Sequence, residues 1–334
     1  MSFVRYSTDD SVISSETVVR GMWTNDTASL TTFFTTSLAV NTSSYFVNVY
    51  DTSTTSSNQF SIQYGHVSGS GSDAINSSVA GITPTRINYG QYRSLIYNDE
   101  NAAFVFGSVT SPDFYALSIA RSRFKESIKP GSLSLTLKSG SNQITLTDDS
   151  VVSGSASNFI GSNRYYTLIS GSEGTAYASP TNGNSGSYGM LFPDLGVMLL
   201  NARALSADSS NGGLGFVSNT GSVSADNENQ IELFKIISGS DASGNFTLNS
   251  QETVSSRYFF TRVKNSEFNY TTNPSVINSS GSVLFDTLID NPQTYITTVG
   301  MYNDNNELLA VAKLSRPLVK DFTKEALIRV KLDY

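Results

Sequence analysis

Cysteine is absent from the 334 residues of this chain, and histidine (His66) and tryptophan (Trp23) occur once each. Without cysteine there is no disulfide, no thiolate zinc site and no cysteine nucleophile. Charge is also scarce. Asp, Glu, Lys and Arg make up 15% of the residues, against about 25% in ordinary soluble domains. The formal net charge of -7 lacks the basic footprint that nucleic acid requires for counterion release and offers nothing to an anionic membrane surface. Long apolar runs are missing too. Leu308–Ala312 falls far short of the roughly 20 residues that cross a bilayer, and the N-terminal MSFVRYSTDDSVISSE has no apolar h-region. The expectation is a soluble protein made in a cytoplasm, with neither nucleic acid nor membrane as partner.

What remains is enough for a core: 38% hydrophobic and 11% aromatic residues, in a length that suits one large β domain or two ordinary ones. Short β-branched and aromatic runs alternate with clusters of Ser, Thr, Gly, Asn and Asp, the spacing of an antiparallel all-β protein. SSYFVNVYD (43–51) leads through STTSSN into QFSIQYGH (59–66). SLSLTLKSGSNQITLT (132–147) puts Leu133, Leu135 and Leu137 on one face, with a turn at Ser139–Asn142 before Ile144 and Leu146. YGMLFPDLGVMLLN (188–201) reads as a hairpin turning at Pro193–Gly196.

Two short helices are predicted. One runs over Thr83–Tyr97, with Thr83 as N-cap, Pro84 at the first position and Tyr89, Tyr92 and Ile96 on one face. The other runs over Asp226–Ile237, with Ile231, Phe234 and Ile237 at helical spacing.

Catalytic patterns are weak. No Gly-x-Ser-x-Gly accompanies His66, and GSGSD (69–73) lacks the lysine and helix of a phosphate loop, so it is expected to be a mobile loop. YNDEN (97–101) and YNDNNE (302–307) gather oxygen ligands but not the calcium-loop spacing, and tight turns want the same residues. Asp148, Asp149, Asp226, Glu228 and Glu232 could serve glycoside cleavage, yet no spacing singles out a pair. The expectation is no enzyme, no cofactor and no metal.

An internal match stands out. RSRFKESIKPGSLSLTL (121–137) aligns without gaps on RPLVKDFTKEALIRVKL (316–332), placing Leu133, Leu135 and Leu137 on Ile328, Val330 and Leu332. Upstream, SLIYNDENAAFVFGS (94–108) resembles TVGMYNDNNELLAVAKLS (298–315). The match predicts duplicated antiparallel β-sandwich units with a few short helices, in domains 1–150 and 151–334. It also predicts that the final strand pairs with the hairpin at 297–314. Among only 21 Lys and Arg, the cations Arg121, Arg123, Lys125 and Lys129 recur as Arg316, Lys320 and Lys324. These seven are the candidate docking residues for an acidic partner.

The C-terminal order TTVGMY, an Asp/Asn turn, ELLAVA and a closing alternating strand resembles the baseplate-attachment domain of tailed-phage fibre proteins. Such fibres carry that unit near the N-terminus and have glycine where Asn305-Asn306 stand here. VISSETVVRGMWTND, FSIQYGHVSGSGS, RSRFKESIKPGS and RVKNSEFNYTTNPS are similar to virion structural proteins of contractile-tailed phages of marine cyanobacteria. These resemblances imply a virion location, in the tail or baseplate, and assembly with other virion proteins. They also imply a homo-oligomer, a trimer or a hexameric ring. The alternatives are a receptor- or glycan-binding tail module, a sugar-cleaving tail component, and a neck or capsid decoration protein. A glycan binder would present Trp or Tyr in a groove.

Overall fold

Alternating runs become strands wherever one face can be buried, and the described residues form antiparallel sheets with four α-helices. The structure is a computed structural model. It describes residues 5–30, 32–35, 45–51, 56–74, 82–152, 158–177, 185–221, 228–238, 246–270 and 273–333. In chain order, β1 (Ser11–Gly21), β2 (Ser29–Leu30), β3 (Phe34–Thr35), β4 (Val47–Tyr50) and β5 (Asn58–His66) precede α1 (Pro84–Tyr97). Next come β6 (Asp113–Ser118), β7 (Ser127–Ile128), β8 (Ser134–Ser139), β9 (Asn142–Asp148), β10 (Asn163–Ser172), β11 (Gly189–Phe192) and β12 (Val197–Asn201). Helices α2 (Ala202–Ser206) and α3 (Glu228–Ser238) lead to β13 (Phe246–Thr247) and β14 (Asn249–Val263). The chain continues through α4 (Asp286–Asp290), β15 (Thr294–Tyr302), β16 (Leu308–Lys320) and β17 (Ala326–Asp333).

The chain divides into a unit of Val18–Glu252 and a unit of Met1–Thr17 with Thr253–Tyr334. The expected boundary near residue 150 is not the observed one. β9 and β10, on either side of it, pair directly with Leu146 opposite Ser170, so a division there would cut a hydrogen-bonded ladder.

The Val18–Glu252 unit is built on one 13-stranded sheet whose main path is β2–β13–β8–β9–β10–β11–β12–β6–β5–β4–β3. Both predicted hairpins are present, with Leu137 opposite Ile144 and Phe192 opposite Val197. Every residue of β11 and β12 is buried, which explains why that hairpin reads as nearly continuous apolar sequence. Leu191, Met198 and Leu200 face one core. Met190, Phe192, Val197 and Leu199 face the other.

A helix covers each face. α1 forms as its sequence predicts: Thr83 Oγ1 accepts from the Arg86 N–H at 3.3 Å, Pro84 opens the helix, and Asn98 closes it at φ 53°. It buries Tyr89, Tyr92 and Ile96. α3 also forms, but its buried stripe is Asn229, Gln230, Leu233, Ile236 and Ile237, with Ile231 and Phe234 only half-buried. The prediction missed it because the first turn of that stripe is polar. Asn229 resolves its burial by a two-way bond to Asn219, accepting from its N–H at 2.8 Å and donating to its carbonyl at 2.9 Å. Asp226 lies outside the described residues.

α3 packs on both β8 and β5, which the sheet path separates by five strands. A flat sheet would hold them roughly 29 Å apart at about 4.8 Å per strand, far more than the roughly 10 Å width of a helix. The sheet therefore curls around α3.

The other unit is a small sandwich. β14 pairs with β17 from Ser256 opposite Asp333 to Val263 opposite Ala326. β15 and β16 form a separate two-stranded hairpin. Met301, Ile328 and Val330 are buried between them, with Phe259, Ile296, Val299, Ala310, Ala312 and Leu314 packed around. The final strand thus hydrogen-bonds to β14 and meets the hairpin only through its inward face, contrary to the predicted pairing. A strand satisfies its backbone along its edge and its apolar side chains on its face, and the sequence pattern reports only the second.

The duplication is not borne by local structure either. Ser94–Tyr97 lies in α1 while Thr298–Tyr302 lies in β15, and Arg121–Arg123 is a 3-10 turn while Arg316–Lys320 is strand. The Tyr-Asn-Asp turns, the short strand at Val105–Phe106 and the closing strands agree in type, with Leu135 and Leu137 buried like Ile328 and Val330, but turns and alternation are common to any half-buried hairpin.

Candidate partner-docking surface

The seven candidate cations fall in both units, in unlike surroundings. In the Val18–Glu252 unit, Arg121 and Arg123 belong to a 3-10 turn that buried Phe124 anchors. The Arg121 guanidinium lies 4.8 Å from the Phe124 ring centre and donates to the Asp194 carbonyl at 3.0 Å. Arg123 turns inward and donates through Nε to the Asn58 carbonyl at 2.6 Å. Burial lowers its pKa, and Asp51 partly opposes that. Lys125 Nζ is 2.9 Å from Glu252, which Arg20 also approaches at 3.7 Å. Lys129 is half-buried and is held by its backbone N–H to Asn249 and its carbonyl to Ser132 Oγ. Arg20, Asp26, Ser122, Arg123, Lys125 and Glu252 line one shallow depression. Much of its positive charge is already answered by its own carboxylates, so an acidic partner would have to compete with Glu252.

In the other unit Arg316 is exposed. It sits in a bulge where β16 places Leu314–Pro317 opposite Thr297 alone, because Thr298 pairs with Lys313 and Ile296 with Leu318. Lys320 is no surface residue. It is fully buried, and its Nζ donates at 2.9 Å to each of the Asn265 carbonyl, Asn269 Oδ1 and the Asp321 carbonyl. Three acceptors match the three donors of an ammonium, so the cation serves the fold, which corrects its expected exposure. Lys324 is exposed and 3.3 Å from Asp321. Two hydrogen bonds from Thr323 hold the Asp321 carboxyl below the ordinary carboxylate value, and Lys324 adds to this.

The other polar candidates are engaged by their own backbone. Asn303 Oδ1 accepts the N–H groups of Asn305 and Glu307, and Asp99 accepts that of Asn101. Asp148, fully buried, accepts the Gly131 N–H with both oxygens, at 3.0 and 2.9 Å, and also the Ser150 N–H. Glu228 accepts from Asn219, and Glu232 pairs with Lys235. The GSGSD stretch is packed against the start of α1: Thr83 Oγ1 donates to the Gly69 carbonyl and Ser72 Oγ to Thr85. Gly71 has φ +88°, and a Cβ there would lie 2.8 Å from the Tyr64 ring, so this position requires glycine.

His66 Nδ1 accepts the Ser68 N–H at 3.1 Å, and burial lowers the ring pKa against a smaller raising effect of Asp113. The Asp113 carboxylate accepts from Tyr64 instead, at 2.9 Å. Ser68 Oγ also lies 2.9 Å from His66 Nδ1, but among the described residues no hydrogen bond joins the ring to the Asp113 carboxylate, the third link of a serine–histidine–carboxylate relay. Trp23 is buried between Phe60 and Phe246 and donates to the Phe246 carbonyl, so it has no face to offer a sugar.

Asp149 accepts the Thr167 N–H at 2.9 Å, yet burial raises its pKa above the ordinary 3.8. Its contribution to stability is full below the unfolded value and is lost as pH rises through the raised folded value. Asp149→Asn keeps an acceptor oxygen and loses the charge. It is expected to raise the thermal midpoint at neutral pH and flatten the mildly acidic part of the stability profile. An unchanged profile would count against the assignment.

Sequence reasoning overlooked apolar exposure. Among the described residues 28 large hydrophobic side chains are exposed, and 16 of them lie in the smaller unit, from Tyr6 to Leu327. The signal was available in LLAVA, a strand sequence apolar on successive positions and therefore on both faces. No family model, curated protein or solved structure matches this chain. The fold defines a predominantly antiparallel β protein, and no described helix is long and apolar enough to cross a membrane.

Proposed function

We propose that this chain is a structural component of a tailed-phage particle, in its tail or baseplate, that acts by assembly with other virion proteins. The observation that carries the reading is the crowding of exposed apolar side chains into the smaller unit, including Leu309 (68%), Leu327 (67%) and Tyr295 (61%). Tyr295 and Leu309 face outward from the β15–β16 hairpin and Leu327 outward from the β14–β17 sheet, and exposed apolar side chains in such numbers are what protein-contact surfaces carry. The resemblance of the C-terminal segment to fibre-attachment domains supplies the setting. Arg316 and Lys324, both exposed, give orientation beside that surface. The same composition would serve a neck or capsid decoration protein, whose place in the particle differs. Locating the chain in a reconstruction of purified particles tests the reading. Density at the tail or baseplate is expected, and particles that form complete without the chain would overturn it.

A further inference from the structure

The β15–β16 hairpin turns its smaller apolar side chains toward the sheet it covers and its larger ones toward solvent. Beyond Thr297 the side chains that pack with Phe259, Ile328, Val330 and Leu332 are Val299, Met301, Ala310 and Ala312. Met301 is the only one of these four that is buried, while Leu308, Leu309 and Val311 are exposed. Docking strength follows the apolar area removed from water, so this half of the hairpin is lightly held. No third strand supports it among the described residues, and a two-stranded hairpin is marginal by itself.

The other half is tied down by polar groups. Lys320, at the end of β16, is the most deeply buried side chain of the smaller unit among the described residues. Its ammonium donates to the Asn265 carbonyl and Asn269 Oδ1. Opposite it in the ladder, Thr294 Oγ1 donates to the Phe268 carbonyl at 2.7 Å. Both strands are thus fastened to one segment, Asn265–Asn269. Between the fastened end and the lightly held one lies the bulge, with Leu314–Pro317 opposite Thr297 alone. A bulge leaves residues unpaired and bends its strand, and Pro317 has no N–H to add to the ladder. Hinges are built from such positions.

We propose that Thr298–Lys313 is a flap that lifts from the β14–β17 sheet about this bulge, while the end held by Lys320 and Thr294 stays in place. Lifting uncovers Phe259, Ile328 and Val330 and adds them to the apolar surface of the unit. Elements that engage partners are drawn from the parts of a fold that open at low cost. The motion stands on the packing alone, and its use in contact with other virion proteins rests on the assembly reading.

The full chain lacks cysteine, so a single introduced thiol reports on one position. Val330, under the flap, and Val197, in the large sheet, are both 5% exposed. Val330→Cys is expected to react with a small thiol reagent about 100-fold or more faster than Val197→Cys. Hydrogen exchange of wild type should be fast in Thr298–Tyr302 and Leu308–Lys313 and slow in Leu318–Lys320. Met301→Ala removes the one buried side chain of the flap. It should speed exchange in the first two stretches about ten-fold or more and leave Leu318–Lys320 unchanged. Equal labelling of the two thiols overturns the flap, as does exchange that is uniform along the hairpin. If Met301→Ala speeds both ends alike, the unit opens as a whole and the hinge is wrong. A chain found in the tail whose hairpin does not lift keeps the assembly reading and discards the flap. A lifting hairpin in a chain never found in particles does the reverse.

Discussion

Replacing Phe114 with alanine is expected to destabilise the protein by about 3–5 kcal/mol, the upper range for truncating a buried aromatic. Phe114 is fully buried on the α1 side of the large sheet. Its ring centre lies 4.5 Å from that of Phe104, 5.5 Å from Tyr89 and 5.7 Å from Tyr92, so the substitution removes one member of an aromatic cluster that ties α1 to β6. The opposite wall is Gly65, where even a Cβ would lie 2.9 Å from Phe114 Cζ. No side chain stands there to relax into the hole, and cavities that cannot collapse are the costly ones. Leu95→Ala, on the exposed side of α1 at 46% exposure, should change stability by no more than about 0.5 kcal/mol. Denaturant unfolding of the full chain measures both. A loss below about 1 kcal/mol for Phe114→Ala would mean that the cluster is not packed as described.

Local features were legible in the sequence because their causes are local. The Ser132–Thr147 and Tyr188–Asn201 hairpins show themselves by alternation and by a glycine-bearing turn, and α1 by its threonine cap and first-turn proline. What failed depends on partners far along the chain. β17 alternates correctly, but nothing in ALIRVKLD says that its edge belongs to β14. The α3 stripe begins with Asn229, whose burial becomes tolerable only once Asn219 returns both its hydrogen bonds. The apparent repeat matched alternation and charge, two properties that unrelated amphipathic segments share. Of the candidate docking residues, the sequence identified a real concentration of cations between Arg121 and Lys129. It could not show that Glu252, distant in the chain, is 2.9 Å from Lys125.

Lys320 is where the charge-based reading and the fold diverge most, and Lys320→Met is expected to cost about 1–3 kcal/mol. Methionine nearly preserves the volume, so the loss isolates the ammonium. Its removal leaves Asn269 Oδ1 without the donor it has at 2.9 Å, while the Asn265 and Asp321 carbonyls lose one donor each and keep Asn269 Nδ2 and the Lys324 N–H; an unpartnered buried acceptor costs about 1–3 kcal/mol. The smaller unit has few fully buried apolar residues to offset this, Met301, Ile328 and Val330 forming the centre of its sandwich. Hydrogen exchange of the full chain should show lost protection around Asn265–Asn269 and Val319–Asp321, with the β5–β6 ladder unaffected. Arg316→Glu, at an exposed position four residues earlier, should shift stability by about 0.5 kcal/mol at most and act, if at all, on incorporation into particles. The pair thereby separates a folding role from a docking role along one strand. If Lys320→Met unfolds and exchanges like wild type, the three oxygens do not need the ammonium, and Lys320 returns to the set of cations available to a partner.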